Sequence, residues 1–268
     1  MTTSSGRRKV LITGAGGTIG SSLAVLLADT YDLRLHYRRQ PEHPPGSDVV
    51  LADIRDLDQV RSIMQGIDTV MHLAGDPAVP ASWQSVYENN IGGTYNILEA
   101  AREAGVRRVV FASTNHVMGM HDVKADWPVY NSMPQRPDSY YGVSKAFGED
   151  LGRYYHDKWD LDFIALRIGW YLEDPRTASG DVGRAMWLSP RDCAHAFTCA
   201  TETAEKWGVF YAISDNPNRR WDLTDAMMKI GYRPRDNWVK AMGVAEGVSP
   251  GMRSPGENWG TEKWDEEE

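Results

Sequence analysis

A short apolar run, Val10-Leu11-Ile12, passes directly into Gly14-Ala15-Gly16-Gly17-Thr18-Ile19-Gly20, and an apolar helix pattern through Leu23, Leu26 and Leu27 follows. No other feature narrows the fold as much. Strand, glycine turn and helix in immediate succession predict the opening of a parallel βαβ unit. Gly14, Gly17 and Gly20 permit a tight turn and a close approach of backbone to a pyrophosphate, with the helix N-terminus facing its negative charge. Thr18 and Ile19, inside the same turn, are expected to share that contact.

Strand patterns recur at 31–37, 49–52, 69–73, 109–112 and 162–167, separated by helical patterns at 56–65, 83–104 and 140–158. Such alternation predicts an α/β fold, a doubly wound parallel sheet covered on both faces. Residues 120–138 and 172–185 are rich in loop-forming and charged residues and read as loops. A helix is expected at 190–203, a strand at 209–213, a helix at 222–230 and irregular chain from Arg233, ending in a solvated Asp265-Glu266-Glu267-Glu268. The expected division is a dinucleotide-binding unit at 8–170, a small C-terminal substrate cap at 171–232 interleaved with it, and an irregular extension at 233–268.

Composition excludes other classes. The 268 residues carry 29 Lys plus Arg against 37 Asp plus Glu, a formal charge of −8, which disfavours general nucleic-acid binding. Apolar runs fall short of the roughly 18–20 residues that cross a bilayer, so no membrane partner is expected. Residues Met1 to Arg8 are polar and basic, without the apolar stretch of a signal peptide, and two cysteines cannot make a disulfide framework. A reducing, cytoplasmic setting follows. Cys193 and Cys199 flank His195 at a spacing that does not suit zinc, and no metal is expected.

The second strand selects the dinucleotide. An acid at its end accepts hydrogen bonds from the ribose hydroxyls of NAD. Here the stretch reads Leu35-His36-Tyr37-Arg38-Arg39-Gln40, without an acid. Arginine attracts a 2′-phosphate and grips it through a planar fork. NADP is therefore the preferred cofactor, read by Arg38, with Arg39 as a second candidate and NAD as the alternative. Asp53-Ile54, after the third strand, are placed to cover the adenine edge.

Tyr141 and Lys145 stand four apart at the start of the helix at 140–158, on one face. A free tyrosine, with a pKa of about 10, is a poor base at neutral pH. A neighbouring ammonium and an oxidised nicotinamide both favour its phenolate. Thr114, after the fifth strand, supplies a hydroxyl for the reacting oxygen. Together these residues point to general-base chemistry at a carbon bearing a hydroxyl.

With these pieces in order, the chain resembles the extended short-chain dehydrogenase/reductase family. The resemblance rests on Thr13-Gly14-x-x-Gly17-x-x-Gly20, Asp53-Ile54, His72-Leu73-Ala74-Gly75, Asn90-Ile91-x-Gly93-Thr94, Thr114 with Val117-Met118-Gly119, and Tyr141-x-x-x-Lys145, over residues 8–232. It implies a Rossmann-like sheet, Tyr141 as base, Lys145 on the nicotinamide ribose, Thr114 polarising the substrate oxygen and Asn90 as a helper behind them. It also implies cofactor contacts from Leu73, Ala74, Gly75 and Ile168, and a homodimer built on the helices at 83–104 and 140–158.

Phe111-Ala112-Ser113-Thr114-Asn115-His116 is similar to the block of uronate dehydrogenases that holds sugar hydroxyls, and other segments look like short-chain-type glucose-6-phosphate dehydrogenases. Both groups oxidise the anomeric carbon of a sugar to a lactone. The resemblance therefore implies a small sugar, sugar-acid or sugar-phosphate substrate, contacted by Asp76, Thr114, Asn115, His116, Tyr141, Trp170 and an arginine, Arg184 or its rival Arg176. Trp170 departs from the small polar residue usual after Arg-Ile-Gly, and Trp187 and Trp207 are further candidates for apolar cover. The rival readings are a nucleotide-sugar epimerase or dehydratase with bound NAD, and a dinucleotide-sensing regulator without catalysis.

Overall fold

The computed structural model describes residues 6–44 and 48–243. Seven strands form one sheet: β1 (Lys9–Thr13), β2 (Asp32–Tyr37), β3 (Asp48–Leu51), β4 (Thr69–His72), β5 (Arg108–Thr114), β6 (Asp162–Ile168) and, late in the chain, the strand Trp207–Ala212. Two short strands, β7 (Trp170–Tyr171) and β8 (Trp187–Leu188), pair beside it, so the late strand is β9. The order is β3-β2-β1-β4-β5-β6-β9 and every pairing is parallel. This is a Rossmann-like α/β fold, with the strand order reversing between β1 and β4.

Helices α1 (Thr18–Leu26) and α2 (Leu57–Ile63) follow β1 and β3. Next come α3 (Trp83–Ser85), a π-helical turn Val86–Gly92 and α4 (Gly93–Glu103). After β5 a 3-10 turn, Asn115–Met118, leads into α5 (Gly119–Val123), and the long α6 (Tyr140–Trp159) precedes β6. The C-terminal part holds α7 (Gly180–Ala185), α8 (Pro190–Glu202), α9 (Thr224–Lys229) and α10 (Trp238–Ala241).

Local chemistry sets these boundaries. Ser139 accepts the Gly142 N–H at the start of α6, and Ser189 accepts the Asp192 N–H of α8 with Pro190 in the first turn. β5 and β6 are buried along their whole length, as interior parallel strands must be. The sheet separates two apolar cores: Leu23, Ile164 and Phe197 lie in one, and Val60, Ile97, Phe111 and Phe163 in the other.

Arg108, fully buried at the start of β5, ties the C-terminal part to this frame. Its guanidinium donates to the carbonyls of Ala200, Thr201, Thr203 and Glu205 and to the Asp162 carboxylate. One side chain thus satisfies the unpaired carbonyls at the end of α8 and the turn into β9.

Four expectations need correction. The helix read at 83–104 is interrupted by the π turn. The loop read at 120–138 begins inside α5, and that read at 172–185 contains a 3-10 turn (Pro175–Thr177) and α7. The irregular chain from 233 includes α10, capped by Asn237. All are too short for a hydrophobic period to register. Residues 244–268, including Asp265 to Glu268, lie outside the described residues.

Candidate active site

The C-terminal ends of β1, β2, β4, β5 and β6 open onto one cleft of about 690 Å³. Gly14 forms its floor. Its φ of +71° is a conformation glycine alone adopts freely, and a β-carbon there would lie 2.9 Å from the Ala74 backbone. Gly20 packs so closely on the Gly14 carbonyl that a β-carbon would overlap it. Thr13 Oγ1 accepts the N–H groups of Leu73 and Ala74 at 3.1 and 3.2 Å, tying the glycine turn to the segment after β4.

The β2 side was only partly foreseen. Arg38, Arg39, Asp53 and Ile54 border the cleft as expected. His36, which sequence reasoning passed over, also borders it. Its Nδ1 accepts the Gly14 N–H at 3.3 Å while Nε2 donates to the Ala52 carbonyl at 2.9 Å. Burial pushes its pKa down, against the opposing pull of the Ala52 carbonyl and Asp53. Tyr37 packs under Gly16. The Asp53 carboxylate is gripped by the Arg55 guanidinium, which holds it below the usual carboxylate range.

At the other end stand Thr114, Tyr141, Lys145 and Ile168, with Leu73, Ala74, Gly75 and Asp76 opposite. Tyr141 is half-buried against the cleft. Burial pushes its phenol up to about 12, outweighing the hydrogen bond from Thr114, and the Asp76 charge acts in the same direction. Lys145 is buried with Nζ 4.8 Å from the Phe111 ring centroid and 5.8 Å from that of Tyr141. Burial pushes it down to about 8. In the protein alone, desolvation therefore outweighs the phenolate-favouring effect expected of the ammonium.

Asn90 sits behind this group, turned inward from the π turn. Its Oδ1 accepts the Asp76 N–H at 2.7 Å, and its Nδ2 donates to the Asp76 carbonyl and to Ser144 Oγ, both at 3.0 Å. Ser144 Oγ in turn donates to the Tyr141 carbonyl at 2.7 Å. Deeper, Glu149 accepts from Ser113 Oγ at 2.6 Å and forms a buried pair with Arg167 at 2.7 Å. The pairing of Ser113 and Arg167 with Glu149 is not readable from the sequence, because it depends on β5, β6 and α6 lying together.

Several expected substrate contacts do not border the cleft. Asn115 donates to Met186 Sδ at 2.9 Å, and His116 pairs with Asp138 at 2.8 Å, its ring 6.0 Å from that of Tyr141. Trp170, on β7, packs over Gly183. Arg184 pairs with Asp181 at 3.4 Å and lies 5.6 Å over the Trp238 ring. Arg176 is 71% exposed and held by Asp174. Trp187 is buried, its indole N–H on the Leu172 carbonyl. Trp207 pairs with Phe163 at the far end of the sheet and gives the cleft no cover.

Comparisons with known proteins agree with this architecture. The model of the NAD dependent epimerase/dehydratase family matches residues 10–172. An L-arabinose 1-dehydrogenase (NAD(P)(+)) of Haloferax volcanii is 43% identical over 249 residues, covering 85% of this chain and 97% of that protein. The NAD-dependent glucose-6-phosphate dehydrogenase of the same organism is 39% identical over 244 residues, covering 85% of this chain and 93% of that protein. Among solved structures, a uronate dehydrogenase variant from Agrobacterium tumefaciens complexed with NAD superposes with a TM-score of 0.77 at 30% identity, covering 87% of this chain and 86% of that one.

Proposed function

The chain belongs to the NAD dependent epimerase/dehydratase family, and from that premise we propose that it is an NAD(P)-dependent sugar dehydrogenase, oxidising the anomeric C1 hydroxyl of a cyclic sugar to a lactone. The observation that carries the reading is the single cleft that joins the glycine turn to Thr114, Tyr141 and Lys145. Relatives named as sugar dehydrogenases, matched over most of their length, support it.

The residues present fit a dinucleotide. Gly14 and Gly20 let the turn close against the Ala74 backbone and on the Gly14 carbonyl, where β-carbons would overlap, and the N-cap of α1 is Gly17 with no side chain capping the helix, so its first amides are available to a pyrophosphate. Gly14, Gly17, Thr18, Ile19 and Gly20 would hold the pyrophosphate, and Leu73, Ala74, Gly75 and Ile168 would border the rest of the cofactor. When bound, the nicotinamide would supply the hydride acceptor for C1. Tyr141 takes the C1 hydroxyl proton as the C1–O double bond forms. Thr114 hydrogen-bonds the reacting oxygen, Lys145 holds the ribose and favours the phenolate, and Asn90 fixes the segment carrying Asp76 against α6. Asp76 contacts the sugar, and of residues 171–232 Tyr171 borders the cleft.

The cofactor reading is NADP in preference to NAD, supported by Arg38 beside the cleft and by the absence of an acid at the end of β2. We assign a homodimer, supported by exposed Trp83, Tyr87, Tyr95, Tyr140, Val143 and Phe147 along one pair of helical segments. The cytoplasmic setting is supported by the free Cys193 and Cys199.

An absorbance screen for reduced nicotinamide tests the activity, running aldoses, uronates and sugar phosphates against NAD and NADP at neutral to mildly alkaline pH. Turnover of one sugar class is expected. A flat response to all of them overturns the reading in favour of an epimerase or dehydratase that recycles bound NAD.

A further inference from the structure

Resting on the dehydrogenase reading, we infer that the sugar oxidised here is a neutral aldose, not a uronate or a sugar phosphate, and that Asp76 enforces the choice. The charged side chains bordering the cleft divide by position. Arg38, Arg39 and Asp53 lie at the β2–β3 end, while Lys145 and Asp76 stand with Tyr141 at the other. Lys145 is buried beneath the Phe111 and Tyr141 rings. Asp76 is half-buried and faces the space beside the reacting groups, close enough for its charge to act on the Tyr141 phenol.

Asp76 is held by neutral groups. Its backbone N–H and carbonyl are clamped by Asn90, its Oδ1 accepts the Ala78 N–H at 3.0 Å, and its Oδ2 accepts the Ser85 hydroxyl. Among the described residues no ion pair neutralises it. An ionised carboxylate is acceptor-only, with about four lone-pair sites, so it retains capacity for the hydroxyls of a neutral sugar. A substrate carboxylate or phosphate at the same place meets a like charge that no ion pair among the described residues offsets.

The arginines that would reverse this are engaged elsewhere. Arg184 is paired with Asp181 and Arg176 with Asp174, and neither borders the cleft. Arg167 is buried against Glu149. Beyond Lys145, which the proposed mechanism places on the cofactor ribose, the charged side chain that borders the substrate end is therefore the Asp76 carboxylate.

Stereochemically matched sugars isolate charge from shape. The full chain is assayed with D-glucose, D-glucuronate and D-glucose 6-phosphate, and with D-galactose and D-galacturonate, using NAD and NADP. The neutral member of the better-used series should show at least about tenfold higher kcat/KM. Asp76→Asn should raise the anion-to-neutral ratio by about tenfold, and Asp76→Glu should keep the native ratio. Should Asp76→Asn fail to fold, the native discrimination decides the matter, because a charge-based preference shrinks with added salt and a steric one does not. Preference for an anionic sugar, or a ratio indifferent both to Asp76→Asn and to salt, overturns the inference while leaving the dehydrogenase standing. Oxidation of none of these sugars, nor of any in the broader screen, removes both.

Discussion

Tyr141 and Lys145 stand one helical turn apart, and burial moves them in opposite directions, to about 12 and about 8. With Tyr141 as the proposed base, kcat for sugar oxidation should rise with pH from neutral into the alkaline range, and fall about tenfold per unit below the apparent pKa. Tyr141→Phe should cost roughly 10²–10⁴-fold in kcat with an unchanged melting temperature, and steady-state assays across pH would check both. Arg38→Ala should raise KM for NADP by roughly tenfold to a hundredfold and barely move KM for NAD, if its guanidinium reads a 2′-phosphate. Comparable efficiency with the two cofactors, unchanged by Arg38→Ala, would refute that. The residues whose place at the cleft was legible were those set by a local sequence pattern: the glycine turn, and Tyr141 with Lys145. The contacts of His36, Ser113 and Glu149 were not, because their partners lie 16 to 36 residues away and meet only when the strands align and α6 packs on them. His116 looked like a ligand from its place after Thr114, yet Asp138 engages its imidazole.

At the scale of elements, α6 lies unusually close to the sheet. A β-carbon at Gly148 would overlap the Phe111 ring, and one at Gly152 the Phe163 ring. Two glycines four apart therefore let the helix settle onto aromatic side chains, which places Tyr141 and Lys145 at the end of β5. Alanine favours a helix over glycine by about 1 kcal/mol, so propensity alone predicts that Gly152→Ala stabilises. Overpacking costs typically 1–3 kcal/mol, and the overlap with Phe163 is severe. The net expectation is a lower melting temperature, measurable by calorimetry. Strands and long helices were legible because their periods run over many residues. The π turn at Val86–Gly92 was not, since its inward Asn90 answers to Asp76 and Ser144 and not to a hydrophobic repeat.

For the whole molecule, the aromatic ridge on α3, the π turn, α4 and α6 sets the assembly prediction. Tyr95 and Phe147 are 45% and 36% exposed, large apolar groups left in water unless a second copy covers them. Sedimentation should report a dimer, and Tyr95→Glu with Phe147→Glu should yield a monomer of unchanged helical content. A native monomer would remove the homodimer assignment. The C-terminal part was the least legible region, because its elements are short and are fixed by contacts far along the chain, Arg108 above all. Turns between a helix and a strand on a surface usually accept extra residues. The one that joins α8 to β9 should not, since its carbonyls at Thr203 and Glu205 are held by that buried guanidinium. An affinity tag or reporter peptide spliced there would pull the last strand from its anchor. The turns at Gly66 and Gly105, where a β-carbon would meet nothing within 4 Å, are better places to lengthen the chain.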